Sequence, residues 1–252
     1  MVIGISVDVL DYKMTGQLSE RYNDILGHIQ IYLDDSPYST IRKEISRYLD
    51  EDMSYSFHAK GDIGVSNPSH YDDAIKTIDL ASSLEVAFIN FHCGGFCPDK
   101  ESRSSALSRL TEQAEKLCVY AHQYNIEIHL ENDICSQQAP NQLGTSLEDW
   151  EIIRRIKQPN FRMCYDIGHA NISFGSKHIH QQFIASIGSI HLHNNDGKTD
   201  LHLPLGGMGE VNLLEILEQL QYSDKVVILE NGFEDHAKAL AYLDNWLKAI
   251  KI

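Results

Sequence analysis

One pattern constrains this chain more than any other: eight short apolar runs rich in β-branched residues alternate with longer segments of helical period. A short apolar run suits a strand buried on both faces, and a helix between two such strands is what a parallel connection requires. Strands are predicted at 2–7, 28–32, 54–58, 86–91, 126–131, 161–166, 189–193 and 226–230. Helices are predicted at 38–49, 71–84, 105–124, 147–156, 178–186, 213–220 and 235–250, with a less periodic one around 19–26. Leu107, Leu110, Ala114, Leu117 and Ala121 recur at helical spacing and form one apolar stripe to lie on a sheet. Ser69 ahead of Asp72 and Asp73, and Ser146 ahead of Glu148 and Asp149, read as helix starts, where side-chain oxygens and early negative charge meet exposed N–H groups. No Pro-, Ser- or Gly-rich linker interrupts the series, so one domain over 1–252 suffices. Eight βα units with right-handed crossovers close most simply into an α/β fold, the (β/α)8 TIM barrel. The alternative is an open doubly wound sheet, but no glycine-rich phosphate loop follows the first strand to favour it.

In such a barrel the chemistry sits at the C-terminal strand ends. From the third strand onward these ends read His58, His92, Glu131, Asp166 with His169 just after, His193 and Glu230. Any one of them alone is an ordinary hydrogen-bonded residue. Six consecutive strand ends crowd several carboxylates into one mouth, where like charges repel unless a cation or protons compensate. Imidazole plus carboxylate is the donor set of a divalent metal such as Zn, Mn, Mg or Co. After His193 the chain runs through Asn194-Asn195-Asp196-Gly197 and Asp200-Leu201-His202 to a glycine-rich turn at Gly206, Gly207 and Gly209. Asp200 and His202 are either further ligands or residues of a loop that faces the substrate. His129 and His191 precede two of the strand ends by two residues, so they point the same way one layer deeper and are expected to be interior groups that orient ligands. His28, His70, His122, His178, His180 and His236 fall at a strand start or on helices, where solvated or packing roles are expected.

The bulk properties narrow the partners. Acidic residues number 36 against 21 basic, a formal charge of −15 that opposes a broad phosphate-backbone footprint and disfavours nucleic acid. The five cysteines are odd in number and contain no CxxC pair, which argues against a disulfide framework and for a reducing compartment. Cys93 and Cys97 read as free thiols before a metal pair. The chain opens on VIGISV without a basic, cleavable leader and has no run of membrane-spanning length. A soluble cytoplasmic protein without a membrane partner is expected.

Six segments, FHAKGDIGVSNP from Phe57, INFHCGG from Ile89, IEIHLEN from Ile126, CYDIGHANISFG from Cys164, IHLHNNDGKTDLHLPLGGMGEVN from Ile190 and VILEN from Val227, resemble in this order the xylose isomerase-like TIM-barrel superfamily. That group contains sugar and sugar-phosphate isomerases and epimerases together with endonuclease IV. The resemblance to its isomerases implies one divalent ion held by Glu131, Asp166, His193 and Glu230, the two glutamates exchanging protons at adjacent carbons, and His169 touching a substrate oxygen. The resemblance to endonuclease IV implies up to three zinc ions held by His58, His92, Glu131, Asp166, His169, His193, Asp200, His202 and Glu230. Two departures order these readings. Ala59-Lys60-Gly61-Asp62 follows His58 in place of the Pro-Tyr wedge of the DNA enzyme, and Leu201 stands where that enzyme has arginine. The loop after the second strand, YLDDSPYST, has no arginine with which to read phosphates. The expectation is therefore a metal-dependent isomerase or epimerase of a small carbohydrate-like substrate, phosphorylated or not, with one to three ions. A polynuclear phosphoesterase is the alternative. Dehydratases of the same superfamily share the initial proton abstraction, and self-association is left open.

Overall fold

Closure of the sheet puts every strand end of interest on one rim. The computed structural model describes residues 1–9, 15–46, 52–136, 140–205, 209–220 and 223–250. Strands β1 (Val2–Asp8), β2 (Leu26–Tyr32), β3 (Ser54–His58), β4 (Phe88–His92), β5 (Glu127–Glu131), β6 (Phe161–Asp166), β7 (Ile187–Leu192) and β8 (Val226–Leu229) follow in chain order around a closed parallel barrel. Its seam is the pairing of Val2 to Ile5 with Val226 to Leu229. Helices α1 (Thr15–Arg21), α2 (Tyr38–Ile45), α3 (Tyr71–Ser82), α4 (Arg103–His122), α5 (Leu147–Ile153), α6 (Ile167–Phe174), α7 (Leu213–Leu220) and α8 (Phe233–Ile250) run between and after the strands.

Strand periodicity divides the residues into two sets. Ile29, Ile31, Phe57, Ile89, Phe91, Ile128, Leu130, Ile190 and Leu192 are buried on the parity that packs under the helices. The other parity carries His28, Gln30, Ser56, His58, Asn90, His129, Glu131, Asp166 and His191, also buried, into the barrel interior. Barrels of this type are usually filled by branched apolar layers; this one carries polar groups from floor to mouth, with Phe88, Cys164 and Ile228 among them. The predicted α4 stripe is the buried face of that helix, with Leu107, Leu110, Ala114, Leu117 and Ala121 all inside.

Several predicted boundaries shift. Helix α4 starts at Arg103 because the Ser102 hydroxyl accepts from the Ser105 N–H at 3.2 Å. Ser146 caps α5 as expected, accepting from the Asp149 N–H. Ser69 does not cap α3; the Asn67 side chain accepts from the Ser69 N–H and opens a 3-10 turn, Pro68–His70, that leads into the helix. The predicted helix at 178–186 is a 3-10 segment, Gln181–Ser186. The helix expected at 19–26 lies earlier, at Thr15–Arg21, and residues from Leu26 already belong to β2. The predicted end of the second helix at 47–49 and the glycines Gly206 and Gly207 lie outside the described residues. Among the described residues no helix is long and apolar enough to cross a membrane.

Candidate metal centre

Glu131, at the end of β5 and 1% exposed, is the hub of the rim. His58 Nε2 lies 3.2 Å from one carboxylate oxygen, which also accepts from the Asn90 amide. The other oxygen faces His191 Nδ1 at 3.2 Å and His169 Nδ1 at 3.4 Å. Asp166 caps α6 by accepting from the His169 N–H at 2.6 Å, while its second oxygen is 3.2 Å from His193 Nε2. Glu230, one residue past β8, stands 3.4 Å from His191 Nδ1. Asp200 lies 3.3 Å from His169 Nε2, 3.1 Å from His202 Nε2 and 3.6 Å from His193 Nε2.

The histidine tautomers test whether a metal fits. His58 Nδ1 donates to the Ala59 carbonyl at 2.8 Å, His169 Nδ1 to the Asn132 carbonyl at 2.8 Å, and His202 Nδ1 to the Glu230 carbonyl at 2.6 Å. With the proton fixed on Nδ1, the Nε2 lone pair of each neutral ring is turned toward a carboxylate. Lone pairs converging on carboxylate oxygens need either extra protons or a cation between them. His92 is held in the same manner, Nδ1 lying 3.3 Å from Asp133. An imidazole oriented through its far nitrogen by a carbonyl or carboxylate is the usual arrangement around a bound metal. Among the described residues, Nε2 of His191, Nδ1 of His193 and Oδ1 of Asp200 are buried without a hydrogen-bond partner, while Nδ1 of His191 lies among the carboxylates of Glu131, Asp166 and Glu230. The donor set fits a divalent ion.

Electrostatics agree. Burial alone would raise Glu131, but His191, His169 and His58 hold it well below the usual carboxylate range. Burial opposes the charge of Asp166 as well, and His169 and His193 bring it down to about 2. His169 and His191 are pushed well above the ordinary imidazole value, against the effect of burial, by the carboxylates around them and, for His191, by the Cys164 thiol. His202 rises to about 9 through Asp200 and Glu230 despite its burial. Without a cation these imidazoles neutralise the carboxylates by holding protons.

All nine residues expected at the rim are brought together, in three adjoining groups whose ligand atoms lie within 4.8 Å of one another: Glu131, Asp166 and Glu230 with His191; His58 and His92 with Glu131; His169, His193, Asp200 and His202. The grouping differs from expectation in one respect. His191, expected one layer deeper, joins the three carboxylates, and His193, 3.2 Å from Asp166 and 3.6 Å from Asp200, stacks on His202 with ring centroids 4.0 Å apart. Gly168 makes this possible, since a Cβ there would overlap the His193 ring. His129 is a floor residue, bonded to Ser189 and Glu127 and stacked on Phe88. His28 is fully buried at the same end. Cys93 and Cys97 are free, the first buried and the second exposed. Sequence reasoning missed Asn90 and Asp133. Asn90 was legible by alternation, two residues before His92, whereas Asp133 lies past β5 where strand parity no longer applies.

Residues 26–249 match the family model described as xylose isomerase-like TIM barrel. An uncharacterized protein of Methanocaldococcus jannaschii is 32% identical over 161 residues, 60% of this chain and 50% of that protein, so the chain matches half the length of that curated relative. The solved structure of a D-tagatose 3-epimerase-like protein is similar over 100% of this chain and 98% of that one, at 23% identity and a TM-score of 0.77. A Thermus thermophilus protein whose crystal was soaked with ZnCl2 is similar over 97% of both chains, at 18% identity and a TM-score of 0.72. At these identities the two structural likenesses speak for the barrel.

Proposed function

This chain belongs to the xylose isomerase-like TIM barrel family, and on that premise we propose that it is a divalent-metal-dependent isomerase or epimerase of a small polyhydroxylated carbonyl compound. The observation that carries the proposal is the convergence of Glu131, Asp166 and Glu230 with His191 on one point at the rim. Glu131, Asp166, Glu230 and one of His191 and His193 would hold the ion. Bound there, it would supply Lewis acidity to a substrate oxygen and make the neighbouring C–H more acidic. Glu131 and Glu230 come from strands on different sides of the mouth and have oxygens within 4.8 Å of a common set of donors. Two carboxylates so placed can remove a proton from one carbon and return it to the same carbon or its neighbour. His169, its Nδ1–H fixed on the Asn132 carbonyl, offers Nε2 to a substrate oxygen. The similarity to a D-tagatose 3-epimerase-like protein supports a sugar as substrate.

The two flanking groups favour a second reading, a polynuclear phosphoesterase, because metal ions beside one another can activate water and stabilise a leaving oxygen. Leu201, 45% exposed between Asp200 and His202, offers no cation to a phosphate at the mouth. Solvent-deuterium incorporation into aldoses and ketoses, measured on protein whose metal content has been counted, tests the proposal. Label at a carbon next to the carbonyl, with about one tightly held ion, is expected. Two or three ions with cleavage of a phosphodiester and no label in any sugar would replace it with the second reading.

A further inference from the structure

We propose that water is bound inside the barrel, one layer beneath the candidate metal ligands, bridging the side-chain amides of Gln30 and Asn90, and that Gln30 thereby acts as a positioning residue for Glu131. The water site stands on its own. The positioning role rests on the metal-dependent reading of the rim.

Gln30 of β2 and Asn90 of β4 face the lumen two residues before Tyr32 and His92. The register puts them in one layer. Passing from one even-numbered strand to the next through the pairings rises two residues at a time: Gln30 to Ser56 to Phe88 and up to Asn90, then Asn90 to His129 to Arg162 and up to Cys164. The circuit closes through Cys164 to Ser189 to Val226 and up to Ile228, then Ile228 to Gly4 to His28 and up to Gln30 again. Four inward side chains from alternate strands make one layer in a barrel of this stagger. All four, Gln30, Asn90, Cys164 and Ile228, are fully buried.

Two amides of this layer leave three groups unmade. Asn90 Nδ2 donates to Glu131, which turns Oδ1 of the same amide away from that carboxylate. Among the described residues, Oδ1 of Asn90 and both Nε2 and Oε1 of Gln30 are buried without a hydrogen-bond partner. The hydroxyls of the layer beneath are spent elsewhere, Ser56 on His28 at 2.7 Å and Ser189 on His129 at 2.8 Å. Ile228 has no polar atom, and a thiol such as Cys164 is only a weak donor. A donor and two acceptors left unmade in a protein interior are costly. Water gives two hydrogen bonds and receives others, and a buried water typically makes about three with groups of this kind. Bonded to Asn90 Oδ1, it opposes rotation of the amide and keeps Nδ2 on Glu131. An amide turned over would set Oδ1 against the carboxylate.

The test combines a crystal structure of the protein with zinc added, urea melts in chelator, and zinc affinity by competition with a chromophoric chelator. Ordered water within hydrogen-bond distance of Gln30 and of Asn90 Oδ1 is expected. Gln30→Met nearly keeps the volume and removes both the donor and the acceptor. It should lower the urea midpoint and weaken zinc binding roughly 2- to 10-fold. Ile228→Val thins the same layer without touching an amide, so it should lower the midpoint and leave zinc affinity unchanged. A direct Gln30–Asn90 hydrogen bond without water would overturn the site. So would a Gln30→Met protein more stable than wild type, because removing an amide that has no partner relieves its cost. Equal zinc affinity in wild type and Gln30→Met, or an equal loss in Ile228→Val, would overturn the positioning role. Failure of the metal reading looks different: wild-type protein that takes up no zinc while ordered water still joins the two amides leaves the site standing and removes the positioning role with the metal.

Discussion

Glu131 and Glu230 are the same residue type in opposite settings. Glu131 is enclosed by His58, His169, His191 and Asn90 and held ionised, which suits a fixed ligand. Glu230 is 13% exposed at its side chain and bounds a cavity beside Tyr32, open to the rim. The Glu230→Gln variant keeps the shape and removes a charge and a proton acceptor. Deuterium exchange into a bound sugar should fall by roughly two to four powers of ten, the range a general acid or base supplies, and metal affinity should weaken. Exchange at the wild-type rate would take Glu230 out of the mechanism. At this scale the sequence was informative about identity and less so about depth. Strand parity gives the side a residue faces, but not how far a ring reaches, so His191 was expected below the ligands it contacts.

Three strands repeat one device at their ends: a candidate ligand followed at once by asparagine, in Glu131-Asn132, His193-Asn194 and Glu230-Asn231. Each amide continues the strand's hydrogen bonding past its last backbone pair. Asn132 exchanges two bonds with the backbone of Asp166, at 2.7 and 2.8 Å. Asn194 does the same with Val211, and Asn231 holds the carbonyls of His202 and Leu203. The loop after β7 is therefore fixed at both ends. His202 sits on it with a φ of 46°, a left-handed conformation that a non-glycine residue adopts only when its surroundings impose it. Such a loop can serve substrate or a further metal. The Asp200→Ala, His202→Ala double variant should keep the ion held by Glu131, Asp166 and Glu230 and lose most turnover, as read by elemental analysis beside a deuterium assay. A wild type that holds more than one ion, and a variant that loses one together with phosphodiester cleavage, would favour the hydrolase. Helix α6 shows where element-level reading stopped. Ile167, Gly168, His169, Ala170 and Asn171 are all buried, so the helix has no polar face and no amphipathic period. Its signals are the Asp166 cap and the left-handed Gly175 at its end, and a ligand that doubles as a cap is read as a ligand alone.

The whole barrel carries a polar axis, with carboxylates and imidazoles at the mouth and a second imidazole layer at the floor. Eightfold alternation revealed the closure, because period and crossover length survive in sequence; the floor did not show, because His28 at a strand start looks solvent-facing until the sheet closes over it. There, His28 Nδ1 lies 2.8 Å from the Ser54 hydroxyl and Nε2 2.7 Å from that of Ser56. Ser54 spends its one proton on the Gly27 carbonyl at 2.9 Å, so Nδ1 must donate to Ser54, and Nε2 accepts from Ser56. Both nitrogens of the neutral ring are satisfied, and it is burial that opposes the charged ring. Burial, reinforced by His129, lowers His28 to about 3, and His129 is lowered as well. A base depressed in the folded state protonates first in the unfolded chain, so stability is lost as pH falls below about 6.5. The raised imidazoles at the mouth contribute with the opposite sign while the unfolded chain is still taking up protons around pH 6.5, and the lowered carboxylates begin to contribute as the pH approaches about 4.5, so comparison with a variant that lacks His28 is what isolates the floor. Between about pH 6 and 4.5, with a chelator present, His28 should cost up to about 1.4 kcal/mol of stability per pH unit. Urea melts of the wild type and His28→Gln across that window should show the variant less stable at pH 7 but with a slope shallower by about one proton. Parallel slopes would mean that the floor histidine is already charged in the folded protein and that the tautomer assigned through Ser54 is wrong.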